Sequence, residues 1–348
     1  MSDTLSPVIE LVSKLSADEL VTLKAHLQAL ECEKDLEQSS AAEIRKSELT
    51  DKYQICCPRC LSLRIINWGG YRDRKRFKCK NCERTFNELT GTAWHYIHSH
   101  GKFKQFIKCM AEKRSLRDCV SIVDICLQTA FYWRHKISRA LIDIDKNWLK
   151  DEIQADETFI LESHKGQKDI VTSENRKPRK RGGKASKAGT SDEQVCIMAA
   201  VDNQGNTLLK VAGNGRLTKK MVKNTLAKQI RKQRVHRAIL VTDRHKSYLE
   251  LVQQKNLIHQ TIVAQYKQFT NIDGFNINRV NALHARLKRW LTKFNGIATK
   301  YLQNYLNYFR IWDKVNSFKE RFELLLRFSV KDNQAFIRIC DIWTTTKF

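Results

Sequence analysis

Two aspartates occupy positions from which carboxylates can hold a divalent cation. Asp243 follows the apolar run 239–241 with one threonine between, and Asp156 lies within the alternating segment 152–160. The apolar run predicts a strand buried on both faces, and the carboxyl ends of such strands open onto the active sites of α/β sheets. Hard cations prefer oxygen ligands, so the two carboxylates could share metal ions. Alternatively, each aspartate caps a neighbouring turn or helix.

Four cysteines have the spacing of a metal site. Cys57 and Cys60 form one C-x-x-C pair, and after eighteen residues Cys79 and Cys82 form a second. Two such pairs at this separation predict a tetrahedral site for one structural Zn²⁺ with four thiolate ligands. The segment 62–78 between the pairs predicts two strands joined by a Gly-Gly turn, which is the arrangement of a zinc ribbon.

Other cysteines and histidines offer alternatives to that ligand set. Cys56 could replace Cys57 with poorer spacing, and His95, His98 and His100 lie just beyond the ribbon. Four cysteines already complete a tetrahedral site, so we expect the three histidines to have other roles. The remaining cysteines are scattered among apolar residues, which favours reduced thiols in the core of a protein that is not exported.

The net charge points to a polyanionic partner. The chain of 348 residues has 63 lysines and arginines against 37 acidic residues, a formal net charge of +26. Such an excess favours nucleic acid, because each phosphate that a protein neutralises releases condensed counterions. An anionic membrane surface would also attract the chain, but no apolar run is long enough to cross a membrane and no secretion signal is recognisable. We therefore expect a cytoplasmic, nucleic-acid-binding protein of two or three domains.

Three segments concentrate the positive charge: the second ribbon strand, a helix near residue 135 and the patternless segment 163–191. In the last of these, seven of the twelve residues 176–187 are basic. A long segment of this kind is a solvated loop, an arm that becomes ordered on the DNA backbone, or both. The residues predicted to contact DNA are Arg72, Arg74, Lys75, Arg76, Lys78, Arg134, Lys136, Arg176, Lys177, Arg179, Lys180 and Arg181.

Residues 102–141 are predicted to be helical throughout. Ser115 is a candidate cap for a second helix, and the aromatic and basic segment 128–137 predicts a third. A short helix, a break and then a basic helix is the arrangement of a helix-turn-helix, whose last helix enters the major groove. Any small three-helix bundle would show the same apolar stripes, so both interpretations stay open here.

From residue 149 the pattern alternates between strands and helices. The strand with Asp156 is followed by a predicted hairpin over 195–212, a helix over 218–231 and the strand that ends near Asp243. A further helix, a strand over 259–263 and a closing helix over 278–294 complete the series. This order predicts an α/β fold with a mixed sheet and flanking helices, as in ribonuclease H-like nucleases.

The closing helix carries two different stripes. Its apolar residues recur at intervals of three and four, so this face is predicted to pack on the sheet. Asn281, His284 and Lys288 lie one position round from that face and form a single polar stripe. A stripe in this place would face the two aspartates, whereas an isolated one is more often a solvated flank.

Taken together, these segments resemble bacterial insertion-sequence transposases with a zinc ribbon, a helical DNA-binding region and a DDE-type ribonuclease H-like domain. The chain resembles the ISXO-like group, in particular its subgroup with an Asp-Asp-Asn-Lys signature. The resemblance covers about residues 57–310, through the four cysteines followed by RTFNELTGT, then ADETFI, VTDRHKSY and VNALHARLKRWLTKFNGIATKYLQNYLNYF. It implies Asp156, Asp243 and Asn281 as metal-site residues and Lys288 as the fourth catalytic residue. Asn281 stands where the commoner pattern has glutamate.

This resemblance implies a DNA transposase that binds the terminal inverted repeats of its own element and cleaves and transfers strands. It implies two Mg²⁺ ions and one Zn²⁺ as cofactors, double-stranded DNA of element ends and target as partner, and a homo-oligomer on that DNA in the bacterial cytoplasm. A DNA-binding protein without chemistry, either decayed or regulatory, is the first alternative. A junction resolvase on the same fold is the second, although the ribbon and the helical region argue against it.

The same segments predict a division of the chain into five parts. The predicted parts are a helical segment and linker (1–50), a zinc ribbon (51–92), a helical DNA-binding region (93–148), the catalytic domain with its basic insertion at 163–191 (149–312) and a helical C-terminal extension (313–348).

Overall fold

A computed structural model of the protein describes residues 56–71, 74–143, 148–166, 189–231, 237–262 and 270–331, with a few isolated positions outside these ranges. Six residues predicted to contact DNA lie outside the described residues, namely Arg72, Arg176, Lys177, Arg179, Lys180 and Arg181. Within the described ranges, no helix combines the length and the apolar character that crossing a bilayer requires.

Three short strands form an antiparallel sheet in chain order, β1 (Ile65–Tyr71), β2 (Arg74–Cys79) and β3 (Thr85–Phe86). The predicted pair of strands is therefore present, and a two-residue third strand is added to it. Cys57, Cys79 and Phe86 are the buried residues of this sheet's own core. So small a core provides little stability by itself, which fits a unit that a metal holds together.

Three helices follow, α1 (His100–Ala111), α2 (Leu116–Val123) and α3 (Leu127–Ala140). The second begins at a capping box, in which the Ser115 hydroxyl and the Asp118 carboxylate each accept the other residue's backbone N–H. It ends at Asp124, whose φ of 53° turns the chain out of the helix. The predicted helical region, its cap and its break are therefore present.

A mixed five-stranded sheet forms the centre of the second half of the chain. Its strands are β4 (Glu152–Leu161), β5 (Gln194–Asp202), β6 (Thr207–Asn214), β7 (Ile239–Asp243) and β8 (Ile258–Ile262), in the order β6-β5-β4-β7-β8. The first three strands are antiparallel to one another, and β4, β7 and β8 are parallel. This arrangement confirms the predicted α/β class, the hairpin and the mixed sheet.

Five further helices accompany the sheet. They are α4 (Lys219–Asn224), α5 (Leu249–Lys255), α6 (Asn278–Thr292), α7 (Leu302–Lys314) and α8 (Phe318–Val330). The predicted helix over 218–231 is shorter than expected, because the α-helix ends at Asn224 and a single 3-10 turn, Leu226–Lys228, continues it. The closing helix crosses β4 and β5, as its apolar stripe predicted.

Two apolar cores lie on opposite faces of the sheet. One contains Ile153, Ala155, Leu240 and Tyr248. The other joins β5 and α6 to the helical region α1–α3 and to α7 and α8. This larger core is continuous across the predicted domain boundaries at 148/149 and 312/313, and α7 itself spans the second of them.

Polar contacts between distant parts of the chain bind this larger core together. The indole N–H of Trp94 donates to the Ser329 hydroxyl at 2.7 Å, and the Tyr308 hydroxyl donates to the carbonyl of Met110 at 2.7 Å. The Arg321 guanidinium donates to the carbonyl of Ala111 at 2.8 Å. Trp94, which precedes α1, and the last two residues of α1 are thus held by residues about two hundred positions later.

Helix α3 contains two buried cationic residues. Only 3% of Arg134 and 7% of Lys136 is exposed. Arg134 donates to the carbonyl of Arg114 at 3.1 Å, and the Lys136 ammonium donates to the carbonyl of His95. Both cations are thus engaged by backbone carbonyls on a helix against which α7 and α8 pack, and DNA contact by these two residues stays a prediction.

Candidate active site

Parallel pairing of the two central strands brings the predicted aspartates together. Strand β7 pairs with β4 in a register that sets Val241 opposite Gln154. Two residues further along both strands lie Asp243 and Asp156, which therefore project side by side from one face of the sheet. Carboxylate oxygens of Asp156, Glu157 and Asp243 lie within 4.8 Å of one another. We call these three residues the acidic cluster.

Asp156 is a partly buried member of the acidic cluster. Its Oδ1 accepts the backbone N–H of Glu157 at 2.9 Å. Burial, and after it the neighbouring Glu157 carboxylate, raises the pKa of Asp156 to about 7. A buried carboxylate beside other carboxylates is costly to ionise, and a bound cation removes that cost.

Glu157 is the member of the cluster that the sequence interpretation missed. Its Oε2 accepts a hydrogen bond from the Tyr248 hydroxyl at 3.1 Å, and Tyr248 is fully buried. Burial, and then the charge of Asp243, raises the pKa of Glu157. The strand alternation assigned Glu157 to the opposite face from Asp156, and the only signal for it was the adjacency of two acidic residues.

Helix α6 brings its polar stripe over the acidic cluster. The Nδ1 atom of His284 lies 3.7 Å from Oδ2 of Asp156. Burial lowers the pKa of His284 to about 4, so the imidazole is neutral near pH 7. Lys288, one turn later, is close enough for its charge to lower the pKa of both Asp156 and His284. Asn281 is exposed one turn before His284, and its role at the metal site stays a prediction.

The donor set of the acidic cluster fits a hard divalent cation. Three carboxylates supply oxygen ligands of the kind that Mg²⁺ and Mn²⁺ prefer. Burial raises the pKa of two of these carboxyl groups, Asp156 and Glu157, so their charged forms are disfavoured until a cation binds. A neutral imidazole and an ammonium group border the cluster without filling it.

The raised pKa of Asp156 predicts a pH-dependent stability of the metal-free protein. An unfolded aspartate titrates near pH 4, so the Asp156 contribution to folding is lost as the pH rises from about 4 to about 7. A shift of this size corresponds to roughly 4 kcal/mol. We expect Asp156→Asn to gain unfolding free energy relative to the parent at pH 8 but little at pH 4, measured by denaturant unfolding in a metal chelator. An equal gain at both pH values would contradict this.

The four predicted cysteines converge at the base of the ribbon. The Sγ atoms of Cys57 and Cys82 are 3.6 Å apart, and those of Cys60 and Cys79 are 3.5 Å apart. All four Sγ atoms lie within 4.8 Å of one another. A tetrahedral zinc with Zn–S bonds of about 2.3 Å places its sulfur atoms about 3.8 Å apart, so this geometry fits that ion.

The alternative ligands do not join this four-cysteine group. Cys56, His95, His98 and His100 fall outside it among the described residues. His100 instead packs on Trp94 and lies against Arg74, with 2.7 Å between Arg74 Nη2 and its Nε2. The backbone N–H groups of Cys82 and Asn81 lower the pKa of Cys79 to about 6, which favours the thiolate that a metal binds.

The ribbon strand β2 presents most of the described residues that are predicted to contact DNA. Lys75 is exposed, and Arg76 is half-buried with its guanidinium 3.3 Å from the Thr85 hydroxyl. The Lys78 ammonium lies over the half-exposed ring of Trp68, 4.7 Å from its centroid. Arg74 is committed to His100 and so links the ribbon to α1. DNA contact by Arg74, Lys75, Arg76 and Lys78 stays a prediction.

Parts of this chain are similar to known sequences. Residues 148–310 match the ISXO2-like transposase domain. A protein of Halobacterium salinarum, described as an uncharacterised protein in transposable element ISH50, is 24% identical over 262 residues, which cover 74% of this chain and 84% of the relative.

Solved structures similar to this chain include two complexes of the Mos1 transposase. A pre-cleavage Mos1 transpososome is 11% identical, with a TM-score of 0.25, and covers 66% of this chain and 79% of its own. The Mos1 mariner paired-end complex with Mn is 12% identical, with a TM-score of 0.24 and the same coverage. These TM-scores are too low to define a shared fold. What the comparisons show is a similarity: residues 148–310 are similar to the ISXO2-like transposase domain, and 74% of the chain is similar to a protein of a transposable element.

Proposed function

We propose that the protein is a DNA transposase, which binds the terminal inverted repeats of its own insertion sequence and catalyses Mg²⁺-dependent strand cleavage and strand transfer. The observation that carries this proposal is the pairing of β4 with β7, which sets Asp156 beside Asp243 within the ISXO2-like segment. The sheet order, with β4 central and β7 and β8 parallel to it, supports a ribonuclease H-like catalytic domain.

Each residue of the site has a separate role in phosphodiester cleavage. When bound, two Mg²⁺ ions lower the pKa of the attacking water and stabilise the leaving 3′ oxygen. Asp156 and Asp243 hold these cations, and Asn281 adds a neutral amide oxygen from α6. Lys288, whose charge already acts on Asp156, faces the scissile phosphate. The 3′-OH released by cleavage then attacks a phosphodiester bond of the target DNA.

The partners follow from the same proposal. Double-stranded DNA of the element ends and of the target binds the ribbon strand β2, with one structural Zn²⁺ in the four-cysteine group. The net charge of +26 supports this DNA contact. Two ends must be joined to one target, so the protein acts as a homo-oligomer assembled on DNA, in the cytoplasm where that DNA lies. The Asp-Asp-Asn-Lys subgroup assignment is part of this proposal.

The second candidate is a DNA-binding protein of the same family without catalysis. The acidic cluster favours the enzyme, because a regulator has no use for buried carboxylates with raised pKa values. A junction resolvase would share the cluster, but it has no need of a ribbon that reads DNA ends.

A cleavage assay tests the proposal directly. Purified protein is incubated with labelled duplexes that carry the two ends of the flanking element, with Mg²⁺ or with a chelator. We expect cleavage at the element boundary and joining of the freed 3′ ends to a target plasmid, in Mg²⁺ only. Scrambled ends are the control. End binding without cleavage in any divalent cation would favour the regulator, and cleavage of four-way junctions alone would favour the resolvase.

Variants of the closing helix test the roles of Asn281 and Lys288. We expect Asn281→Ala and Lys288→Ala each to reduce cleavage by about a hundredfold or more, the usual scale for one charge-stabilising group. Asp273→Ala is the matched control, because Asp273 is exposed in the turn before α6 and lies outside the acidic cluster. Binding of end DNA, measured by fluorescence anisotropy, should be unchanged in all three. A dead Asp273→Ala beside a normal Asn281→Ala would overturn the assignment.

A further inference from the structure

Glu157 reaches the acidic cluster from the face of the sheet opposite to that of Asp156. Ile153 and Ala155 point into the core that contains Tyr248, and Glu157 continues this alternation. Asp156 points the other way, towards His284 on α6. A regular strand would keep the two neighbouring carboxylates on opposite faces, yet their oxygens lie within 4.8 Å of each other.

The end of strand β7 makes this approach possible. Strand β4 continues to Leu161 and pairs with β5 along its whole length, whereas β7 ends at Asp243. Among the described residues, β4 therefore pairs with no strand on its β7 side beyond Asp156, and the edge there is open. The Glu157 side chain can turn through this opening and bring its carboxylate between the faces, next to Asp156 and Asp243.

Tyr248 fixes Glu157 in this position. The phenol is 0% exposed and is held among the apolar residues of the core opposite α6. Its hydroxyl donates to Oε2 of Glu157 at 3.1 Å, which leaves the second carboxylate oxygen for the cluster. A buried ring with one hydroxyl has little freedom, so the hydrogen bond sets the direction of the carboxylate.

A second and independent feature points to a ligand at the same place. Only 7% of His284 is exposed, and its Nε2 has no hydrogen-bond partner within the described part of the chain. Its Nδ1 faces Asp156 at 3.7 Å, a distance too long for a hydrogen bond. A buried imidazole beside the acidic cluster thus has hydrogen-bonding capacity that no described residue uses.

We propose that Glu157 is a ligand of the cation held by Asp156 and Asp243, and that Tyr248 is its positioning residue. Glu157 then supplies from β4 the third carboxylate that Asn281, an amide, does not supply from α6. The inference rests on the proposed function, because it assumes that the acidic cluster binds a divalent cation. It differs from that function in assigning the third negative charge to a residue outside the Asp-Asp-Asn-Lys signature.

Metal binding by the full-length protein tests this assignment without any measurement of activity. Mn²⁺ alone is titrated into each variant and the free ion is followed by electron paramagnetic resonance. We expect Glu157→Gln to weaken Mn²⁺ binding by about a hundredfold, and Tyr248→Phe, which removes only the hydroxyl, by about tenfold. Glu250→Gln is the matched control, since Glu250 lies on α5 and bonds only to Gln254 among the described residues, and it should bind as the parent does.

Thermal unfolding separates a ligand from a structural role. A structural glutamate would lose stability when replaced, whereas a ligand crowded by other carboxylates repels them when no metal is present. We expect Glu157→Gln to melt at the same or a higher temperature than the parent in a chelator, and to gain less from added Mn²⁺. A Glu157→Gln variant that fails to fold would indicate a structural role for Glu157 and would overturn the proposal. Tyr248→Phe measures the same contact independently, because it leaves Glu157 in place.

The failure of this inference is distinguishable from the failure of the proposed function. Mn²⁺ binding that is lost in Asp243→Ala but normal in Glu157→Gln would overturn the role of Glu157 and leave the metal site in place. Binding unaffected by either change would overturn both, because the cation would then lie elsewhere.

Discussion

Asp243→Ala is expected to abolish strand cleavage while the protein still binds the ends of its element. Asp243 is the last residue of β7, and its carboxylate stands beside Asp156 where β4 and β7 run in parallel. Its Oδ1 already accepts the backbone N–H of His245 at 3.1 Å, so the carboxylate is directed before any cation binds. Alanine removes a charged ligand, and we expect a loss of cleavage of at least about a thousandfold.

Binding and cleavage are best measured on the same preparation. End DNA is titrated by anisotropy at several salt concentrations, and cleavage is followed on the same duplex in Mg²⁺. Affinity should fall as salt rises, with equal slopes for parent and Asp243→Ala, because the proposed phosphate contacts lie on the ribbon and not in the acidic cluster. Asp273→Ala serves as the control for an aspartate removed outside the cluster. Normal cleavage by Asp243→Ala would place the catalytic centre elsewhere in the chain.

Cys79→Ser is expected to release the zinc and unfold the ribbon. Cys79 is buried at the end of β2 and its Sγ lies 3.5 Å from that of Cys60. The ribbon's own core consists of Cys57, Cys79 and Phe86, with a few partly buried neighbours, so we expect a bound metal to provide most of its stability. A structural zinc contributes roughly 10 kcal/mol or more in small domains of this kind.

Metal analysis and limited proteolysis measure the two effects of this change. The parent should contain one zinc per chain and resist cleavage between residues 57 and 86, and Cys79→Ser should lose both properties. Cys56→Ser is the matched control, because Cys56 lies outside the four-cysteine group and its loss should leave the zinc in place. Unchanged zinc content in Cys79→Ser would refute the assignment. The main thermal transition should persist in this variant, since the large cores do not depend on the ribbon.

The parts of this fold that follow from local pattern were predictable from sequence. The near-continuous apolar run of β5 and the short run of β7 specify buried strands, and the spacing of the four cysteines specifies their convergence. The meeting of Asp156 and Asp243 also follows, because the topology requires parallel neighbours and equivalent positions of parallel strands share a face.

Other features depend on contacts that no local pattern contains. The sequence of α3 is basic and aromatic. Whether its cationic side chains are exposed depends on the packing of α7 and α8, which lie more than 150 residues later in the sequence. Glu157 enters the acidic cluster because β7 ends at Asp243 and leaves an edge of β4 open. Where a neighbouring strand ends is determined by the tertiary structure and cannot be read from the sequence of β4. In both cases the local pattern predicted the helix or strand correctly. The neighbouring elements then determined what the side chains contact.

The bonds from α1 to the C-terminal helices set the order in which this protein can form during synthesis. Trp94 can form its hydrogen bond only after Ser329 has been synthesised, and the last residues of α1 likewise depend on Tyr308 and Arg321. The helical region therefore cannot complete its packing until almost all of the chain has left the ribosome. Contacts of such sequence separation make folding slow, since a long loop must close before they form. A message cut short before α7 therefore does not yield a folded N-terminal helical region that merely lacks a tail. The truncated product exposes the apolar surface of helices α1–α3, and we expect it to aggregate or to be degraded.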